Sequence, residues 1–388
     1  MCQASPIFVD CHCHLTSGAF DADLDAVLAR AERAGVCAMM ACSASQADIL
    51  QVIQLRQIYP ERIHPCLGLH PLGGYFDDAL WEETQHLIAN EHVERGITGI
   101  GEIGLDFSRP LLREKAREKG TTEAEVRETQ LKCFRAHLEL AKKLDVPVNV
   151  HSRNAERETL EILIQSQVHG VLHAYKGDVS LAVEAARTGR LYFSFPPSIV
   201  YKKEYQEAAQ ALPPHVLLLE TDSPSLGATG PKERNEPAKI VLAAAKLAEL
   251  KCMAVEKVAA ITTRNAVRLF GPTTPALVAL ALEASDGPEK RPPRWRKGDP
   301  AGNPVDAATA NLRNRAKAPL GHTATAYRQP AAEAACPPAP PLVAEKIQDP
   351  IGDMVADRRR RWGRAQMQKD IMDPTLCSSS YGSIGRCD

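Results

Sequence analysis

The chain has 388 residues and a net charge of -1, and 44% of its residues are hydrophobic, which is enough for a large core. The near-neutral balance gives no reason to expect long-range attraction of the whole chain to nucleic acid or to an anionic membrane. Any contact with phosphate would therefore come from a local pocket.

Short apolar segments alternate with segments of helical periodicity over residues 1–271. The apolar segments are predicted strands: IFVD (7–10), VCAMMAC (36–42), IHPCLGLH (63–70), ITGIG (97–101), VPVNV (146–150), HGVLH (169–173), RLYFSF (190–195) and HVLLLE (215–220). Predicted helices between or after them include FDADLDAVLARAERAG, QADILQVIQLRQIY, ETQLKCFRAHLELAKKL and MAVEKVAAITTRNAVRLFG. Eight such units favour a TIM-like (β/α)8 barrel, with an open doubly wound sheet as the main alternative.

Histidines and carboxylates follow six of the predicted strands. They are His12 and His14 after the first strand, His70 after the third, Glu102 at the fourth, His151 at the fifth, His173 at the sixth and Asp222 at the eighth. The carboxyl ends of all barrel strands meet on one face, so we expect these side chains to converge there.

The pair of histidines in VDCHCHL is the strongest single signal in this set. On an extended chain His12 and His14 point to the same side, as two ligands of one metal must, whereas Cys11 and Cys13 point away into the packing. Imidazole and carboxylate donors suit zinc, manganese or iron and tolerate magnesium less well. The number of donors exceeds what one ion needs, so two divalent metal ions are predicted. Asp10 is expected to orient one of the histidines.

The composition changes near residue 271. Residues 272–388 hold 15 of the 28 prolines, together with 17 Lys and Arg against 13 Asp and Glu, and they are predicted to be a disordered tail. The basic stretch ADRRRRWGRAQMQKD is interpreted as a solvated helix or unstructured chain, with a nucleic-acid contact or a nuclear-import signal as alternatives.

Targeting signals are not evident in the sequence. The N-terminal MCQASPIFVD lacks the features of a signal peptide, no segment has roughly 18 apolar residues in a row, and eleven cysteines show no repeating spacing. The sequence therefore predicts an intracellular protein, cytoplasmic or nuclear or both, with reduced cysteines and no membrane contact.

Several motifs, in this order and spacing, resemble those of the TatD-type metal-dependent deoxyribonucleases of the amidohydrolase superfamily. They are VDCHCHL, GLHP, GEIGLD, HSR, LH followed by a glycine, LETDSP, RNEP and TTRNAVRLF, and they span residues 7–270. The resemblance implies a TIM-like barrel over residues 1–271 with a binuclear metal site.

The resemblance also implies roles for individual residues. One metal ion would be held by His12, His14 and Asp222, and the other by His151 and His173, with Glu102 bridging the two. Asp222 and Glu102 would be the catalytic carboxylates, with Asp222 as general base. The groups near the substrate phosphate would be Arg153, His70, Arg234 and Glu236.

The activity implied by the resemblance is hydrolysis of phosphodiesters, most typically as a 3′-to-5′ deoxyribonuclease that uses a two-metal-activated water. DNA, as 3′ ends or single strands, would be the substrate, and the metal ions would be zinc, manganese or magnesium. The alternatives are a small-molecule hydrolase of the same superfamily, acting on a lactone or a phosphoester, and a non-catalytic scaffold barrel.

Two departures from the family pattern bear on substrate preference. The family commonly has HCFSG after the sixth strand, where this chain has HAYKG, so that Lys176 adds a cation near the mouth of the site. The common GEIGLDY is GEIGLDF here, and Phe107 lacks the tyrosine hydroxyl.

Overall fold

The computed structural model describes residues 6–73, 78–275 and 277, and eight parallel β-strands alternate with α-helices in this part of the chain. The predicted disordered tail, 272–388, lies outside the described residues except for 272–275 and 277. The strands are β1 (Phe8–Cys13), β2 (Val36–Cys42), β3 (Ile63–Cys66), β4 (Ile100–Asp106), β5 (Val148–Arg153), β6 (Gly170–Leu172), β7 (Leu191–Phe195) and β8 (Leu217–Leu219).

Helices cover the outside of the strands. They are α1 (Leu24–Arg33), α2 (Gln46–Ile58), α3 (Asp78–Arg95), α4 (Arg109–Lys119), α5 (Glu123–Leu144), α6 (Glu156–Ser166), α7 (Val179–Ala186), α8 (Lys203–Ala211), α9 (Ile240–Leu250) and α10 (Val255–Phe270). One face of α5 is buried against the strands, because Phe134, Leu138 and Ala141 are each about 1% exposed.

The strands form a closed ring. Strands β1 to β3 pair in one parallel sheet and β4 to β8 in another, each in chain order. The first seam, between β3 and β4, is bridged by the Leu67 amide, which donates to the Gly99 carbonyl at 3.1 Å. The second seam, between β8 and β1, is bridged by the Asp222 amide, which donates to the His12 carbonyl at 2.8 Å. The predicted TIM-like barrel is therefore confirmed, and the open sheet is not found.

Two strands extend further than their apolar runs indicate. Strand β1 continues from Asp10 to Cys13, and β4 runs to Asp106, so that Glu102 lies inside β4 rather than at its end. The sequence-based boundaries missed these residues because the barrel interior is polar near the carboxyl ends of the strands. Cys11 and Cys13 are fully buried in the core, as predicted.

Helix α4 is an element that the apolar pattern did not indicate. Its sequence, RPLLREKAREK, is strongly charged, and only Leu112 and Ala116 are buried. Pro110 stands at its start, where a missing amide hydrogen is tolerated, and Gly120 ends it with a left-handed φ of 63°.

None of the helices in the described ranges combines the length and the apolar character that crossing a bilayer would require.

Candidate metal centre

Glu102 lies at the centre of the polar cluster on the carboxyl-end face of the barrel. Its side chain is buried, and its two oxygens face different pairs of histidines. Oε2 lies 3.2 Å from His14 Nε2 and 3.6 Å from His12 Nε2. Oε1 lies 2.8 Å from both His151 Nδ1 and His173 Nε2. One carboxylate thus joins two separate groups of nitrogen donors.

Asp222 belongs to the first of these groups. Its Oδ1 lies 3.4 Å from His14 Nε2 and 3.6 Å from His12 Nε2, and the two Nε2 atoms are 3.1 Å apart. Asp222 follows β8 with a left-handed φ of 51°, a conformation that costs energy for a residue other than glycine. The hydrogen bond from the Asp222 backbone amide to the His12 carbonyl holds the carboxylate beside β1.

In His12 and His14, the ring nitrogen that points away from the cluster lies within hydrogen-bond distance of an acceptor. His12 Nδ1 lies 2.8 Å from Asn149 Oδ1, and the Asn149 amide nitrogen donates to the Cys11 carbonyl at 2.7 Å, which fixes the orientation of the amide. His14 Nδ1 lies 3.1 Å from the Cys42 carbonyl oxygen. Because these acceptors require a protonated Nδ1, the Nε2 atom of each ring faces the cluster.

The second pair of histidines has carboxylates behind it. His151 Nε2 lies 3.2 Å from Asp106 Oδ2, so that its Nδ1 is left to face Glu102. His173 Nδ1 faces Glu220 Oε1 at 3.8 Å, which is longer than a hydrogen bond, and Glu220 also accepts a hydrogen bond from the Ser194 hydroxyl.

His70 differs from the other four histidines because the nitrogen that it turns toward the cluster is the protonated one. Its Nε2 lies 3.6 Å from Glu102 Oε1, while the Leu72 amide donates to its Nδ1 at 3.1 Å. In the neutral ring the proton therefore stands on Nε2. Burial lowers the pKa of His70 to about 4, so the ring is neutral at pH 7. It can donate a hydrogen bond to an anion but has no lone pair directed at the cluster.

The histidines keep both carboxylates of the cluster ionised. Burial alone would raise the pKa of Glu102, but interactions with His70 and His173 hold it well below its ordinary value. Burial likewise opposes ionisation of Asp222, and its contacts with His14 outweigh that effect and lower its pKa. Two buried anions are thus available to a cation at neutral pH.

The donor set fits divalent metal ions. Three groups have their ligand atoms within 4.8 Å of one another, and all of them use nitrogen and carboxylate oxygen, which suit zinc, manganese and iron. Lone pairs that converge at about 3 Å repel each other unless a cation lies between them. The residues that could hold one ion are His12, His14 and Asp222, those that could hold a second are His151 and His173, and Glu102 could contribute to both.

The predicted substrate contacts divide into two sets. Arg153, at the end of β5, is half-buried beside the cluster, as His70 is. Arg234 instead donates to both carboxylate oxygens of Asp23, at 2.7 and 2.8 Å, and Glu236 accepts three hydrogen bonds from Arg30, the shortest at 2.7 Å. These ion pairs fasten the segment after β8 to α1. Their contacts do not support the substrate role predicted for Arg234 and Glu236, because both side chains are bound in these ion pairs.

The role expected for Asp10 also differs from what the structure shows. Its carboxylate accepts from the Thr221 amide at 2.9 Å, from the Thr221 hydroxyl and from the His12 amide, so it binds the backbone of β1 and of the segment after β8. The side chain that accepts from His12 Nδ1 is that of Asn149, which sequence reasoning missed. Its signal was a polar residue in the middle of the apolar run VPVNV.

A closed parallel barrel with a histidine–carboxylate cluster at its carboxyl-end face defines a metal-dependent hydrolase. Residues 9–271 match the model of the TatD related DNase family. The chain is 39% identical over 268 residues to the deoxyribonuclease TATDN3 of Homo sapiens, which covers 68% of this chain and 94% of that protein. It is 30% identical over 270 residues to the metal-dependent hydrolase YabD of Bacillus subtilis strain 168, which covers 67% of this chain and 98% of that protein.

A solved structure agrees with the sequence relatives. The TatD homologue YJJV of Escherichia coli K12 superposes with a TM-score of 0.59 at 28% identity, covering 68% of this chain and 97% of that one. The chain therefore belongs to the TatD family, and it is a hydrolase that acts on ester bonds.

Proposed function

We propose that this chain is a deoxyribonuclease that hydrolyses phosphodiester bonds near the 3′ end of a DNA strand, in the 3′-to-5′ direction. The observation that carries the proposal is Glu102, whose two oxygens each face a separate pair of histidines. This arrangement supports two divalent ions on either side of one carboxylate. The human relative is named a deoxyribonuclease, which supports DNA as the substrate.

The side chains of the site divide the chemistry between them. Two divalent ions would supply Lewis acidity toward a phosphate oxygen and would lower the pKa of water. Asp222, ionised and buried, accepts the proton of the attacking water. His70, through its Nε2–H, and Arg153, through its guanidinium, donate to the phosphate oxygens as negative charge grows on them.

Charge favours strand ends over long duplexes. Residues 1–271 carry 30 Lys and Arg against 35 Asp and Glu, so this part of the chain has no net attraction for a polyanion. Short ends or single strands that reach a local pocket are therefore the expected substrates.

Removing either carboxylate tests the proposal. Glu102→Gln and Asp222→Asn should each lower the metal-dependent hydrolysis of labelled DNA by at least roughly 100-fold, because each removes a charge that holds metal or accepts a proton. Single-stranded, duplex and abasic oligonucleotides are incubated with magnesium, manganese or zinc, and 5′ and 3′ labels report the direction. Glu158→Gln, at an exposed position on α6, is the matched control.

Two results would overturn the proposal. Wild-type rates in Glu102→Gln or Asp222→Asn would remove the carboxylates from the mechanism. A wild-type chain that opens lactones but leaves every oligonucleotide intact would show the small-molecule hydrolase that the superfamily also includes.

A further inference from the structure

Three basic side chains stand at the carboxyl ends of three neighbouring strands. Arg153 ends β5, Lys176 lies in the segment after β6, and Lys202 precedes α8 in the segment after β7. Strands β5, β6 and β7 are adjacent in the sheet, so the three segments are neighbours on the face that carries the metal-binding cluster. Within the described ranges, none of the three forms an ion pair with a carboxylate.

The three positive charges act on one another, and the carboxylates of Glu156, Glu204 and Asp222 offset part of that repulsion. All three side chains are half-buried. Burial, followed by the charges of Arg153 and Lys202, lowers the pKa of Lys176, and burial followed by the charge of Arg153 lowers the pKa of Lys202. Like charges kept together at a partly buried site are unfavourable unless an anion compensates them.

Polar atoms around these cations are also without partners. Arg153 Nε and the Tyr205 hydroxyl have no hydrogen-bond partner among the described residues, and Lys202 Nζ lies 5.3 Å from the centre of the Tyr205 ring. Burial raises the pKa of Tyr205, while the charge of Arg153 lowers it and that of Asp222 raises it. The Tyr205 hydroxyl is therefore close both to the cations and to the proposed general base.

An exposed aromatic ring stands beside Lys202 in the chain. Tyr201 directly precedes Lys202 and is 43% exposed, and it is the aromatic residue among the exposed large hydrophobic side chains of the described ranges. Its phenol also acts on that of Tyr205. Proteins that bind single-stranded nucleic acid combine cations along the backbone with aromatic rings on which bases stack.

We propose that Lys176 and Lys202, beside Arg153, bind the phosphate next to the scissile one on a DNA strand, and that the base of that nucleotide stacks on Tyr201. The proposal rests on the proposed function and adds a specificity to it: the enzyme prefers strands with at least two phosphodiesters. Lys176 occupies a position where this chain departs from the usual motif after the sixth strand.

Short thymidine oligomers test this subsite. Wild-type kcat/KM should be about tenfold higher for a trinucleotide, which has two phosphodiesters, than for a dinucleotide, which has one. The double variant Lys176→Gln/Lys202→Gln should lose that tenfold preference and leave dinucleotide hydrolysis unchanged. Tyr201→Ala should weaken trinucleotide use by about fivefold and have no effect when the outer nucleotide is abasic.

A matched control and a second readout separate this proposal from the hydrolase activity itself. Lys142→Gln/Lys143→Gln removes two charges from the end of α5 that leads into the start of β5, away from the cluster. Fluorescence anisotropy of a labelled trinucleotide on the metal-free full chain measures binding without turnover, and Lys176→Gln/Lys202→Gln should bind it about tenfold more weakly than the control does.

The outcomes are distinguishable. Equal trinucleotide affinity in the double variant and the control overturns the subsite, whether or not the chain cleaves DNA. An equal loss for dinucleotide and trinucleotide also overturns it, because the lysines would then contact the scissile phosphate. A selective loss of trinucleotide binding in a chain that cleaves no DNA would support the subsite and remove the proposed function.

Discussion

At the scale of single residues, the cluster is organised by what lies behind each histidine. Asn149 accepts from His12 Nδ1 while its own amide donates to the Cys11 carbonyl, so the side chain cannot flip without losing a bond. The His12 ring is thereby held with Nε2 toward Glu102 and Asp222. An outer partner of this kind controls both the tautomer and the position of a ligand.

The Asn149→Ala variant should therefore bind metal more weakly. We expect the affinity for zinc or manganese to fall by roughly 10- to 100-fold, because His12 loses the acceptor that fixes its tautomer. The Cys11 carbonyl also loses a donor, which should lower the free energy of unfolding by about 1–3 kcal/mol. Isothermal titration calorimetry of the metal-free chain measures the first effect, and urea unfolding the second. Asn90→Ala, at an exposed position on α3, is the control, and an unchanged metal affinity in Asn149→Ala would contradict the assignment.

The sequence indicated the histidines and carboxylates of the cluster but not what holds them. His12, His14 and Glu102 stand out because polar residues interrupt apolar runs. Asn149 lies 137 positions from His12, and only the closure of the barrel shows which strand faces which. For Arg234 and Glu236 the closeness of RNEP to LETDSP in the sequence did not indicate that their side chains pair with Asp23 and Arg30. Their substrate role stays a prediction.

At the scale of elements, α5 supports the loop that carries His70. Its first turn has a capping box, in which Thr122 and Glu125 each bind the other's backbone amide. Further along, His137 is fully buried, with Nδ1 2.8 Å from the Cys133 carbonyl and Nε2 accepting from the Leu69 amide at 3.2 Å. A neutral ring satisfies both bonds, and a charged ring would break the bond to Leu69.

The buried His137 should make the stability of the barrel sensitive to acid. Burial lowers its pKa to about 4 in the folded chain, against about 6.5 when unfolded, so the unfolded state binds the proton more readily. The contribution is complete above pH 6.5 and is lost as the pH falls from there toward 4, with a slope of up to about 1.4 kcal/mol per pH unit. Urea unfolding of the metal-free chain at pH 7, 6 and 5 measures the slope.

The variant that isolates this effect is His137→Gln, since its carbonyl oxygen can still accept from the Leu69 amide. We expect a shallower decline of the unfolding free energy between pH 7 and pH 5 than in the wild type. His215→Gln, at an exposed position, should keep the wild-type slope. Identical slopes in all three proteins would show that the pKa of His137 is the same in the folded and unfolded states.

At the scale of the whole molecule, the barrel is closed by two seams of different character. Backbone hydrogen bonds bridge β3 and β4, and the seam between β8 and β1 carries in addition the Asp10 carboxylate and the first metal-binding group. Strand number and order were predictable because apolar runs and helical periodicity alternate eight times. The end of the barrel was less predictable, because the composition changes at residue 271 whereas buried side chains continue beyond it.

The barrel should need residues just past the predicted boundary of 271. Thr274 is 5% exposed and Leu277 is 1% exposed within the hydrophobic core, and the Leu277 amide donates to the Thr274 hydroxyl at 3.3 Å. A chain ending at residue 280 should therefore unfold with the free energy of the full-length chain, whereas one ending at 270 should lose about 1.5–3 kcal/mol because the leucine leaves its site empty. Both should keep the residues of the metal-binding cluster, which lie between His12 and Asp222.

Urea unfolding of the two chains measures the difference, with Leu277→Ala in the longer chain as the point-mutant counterpart. Equal stability of the 270- and 280-residue chains would place the end of the folded unit at the helix α10 itself.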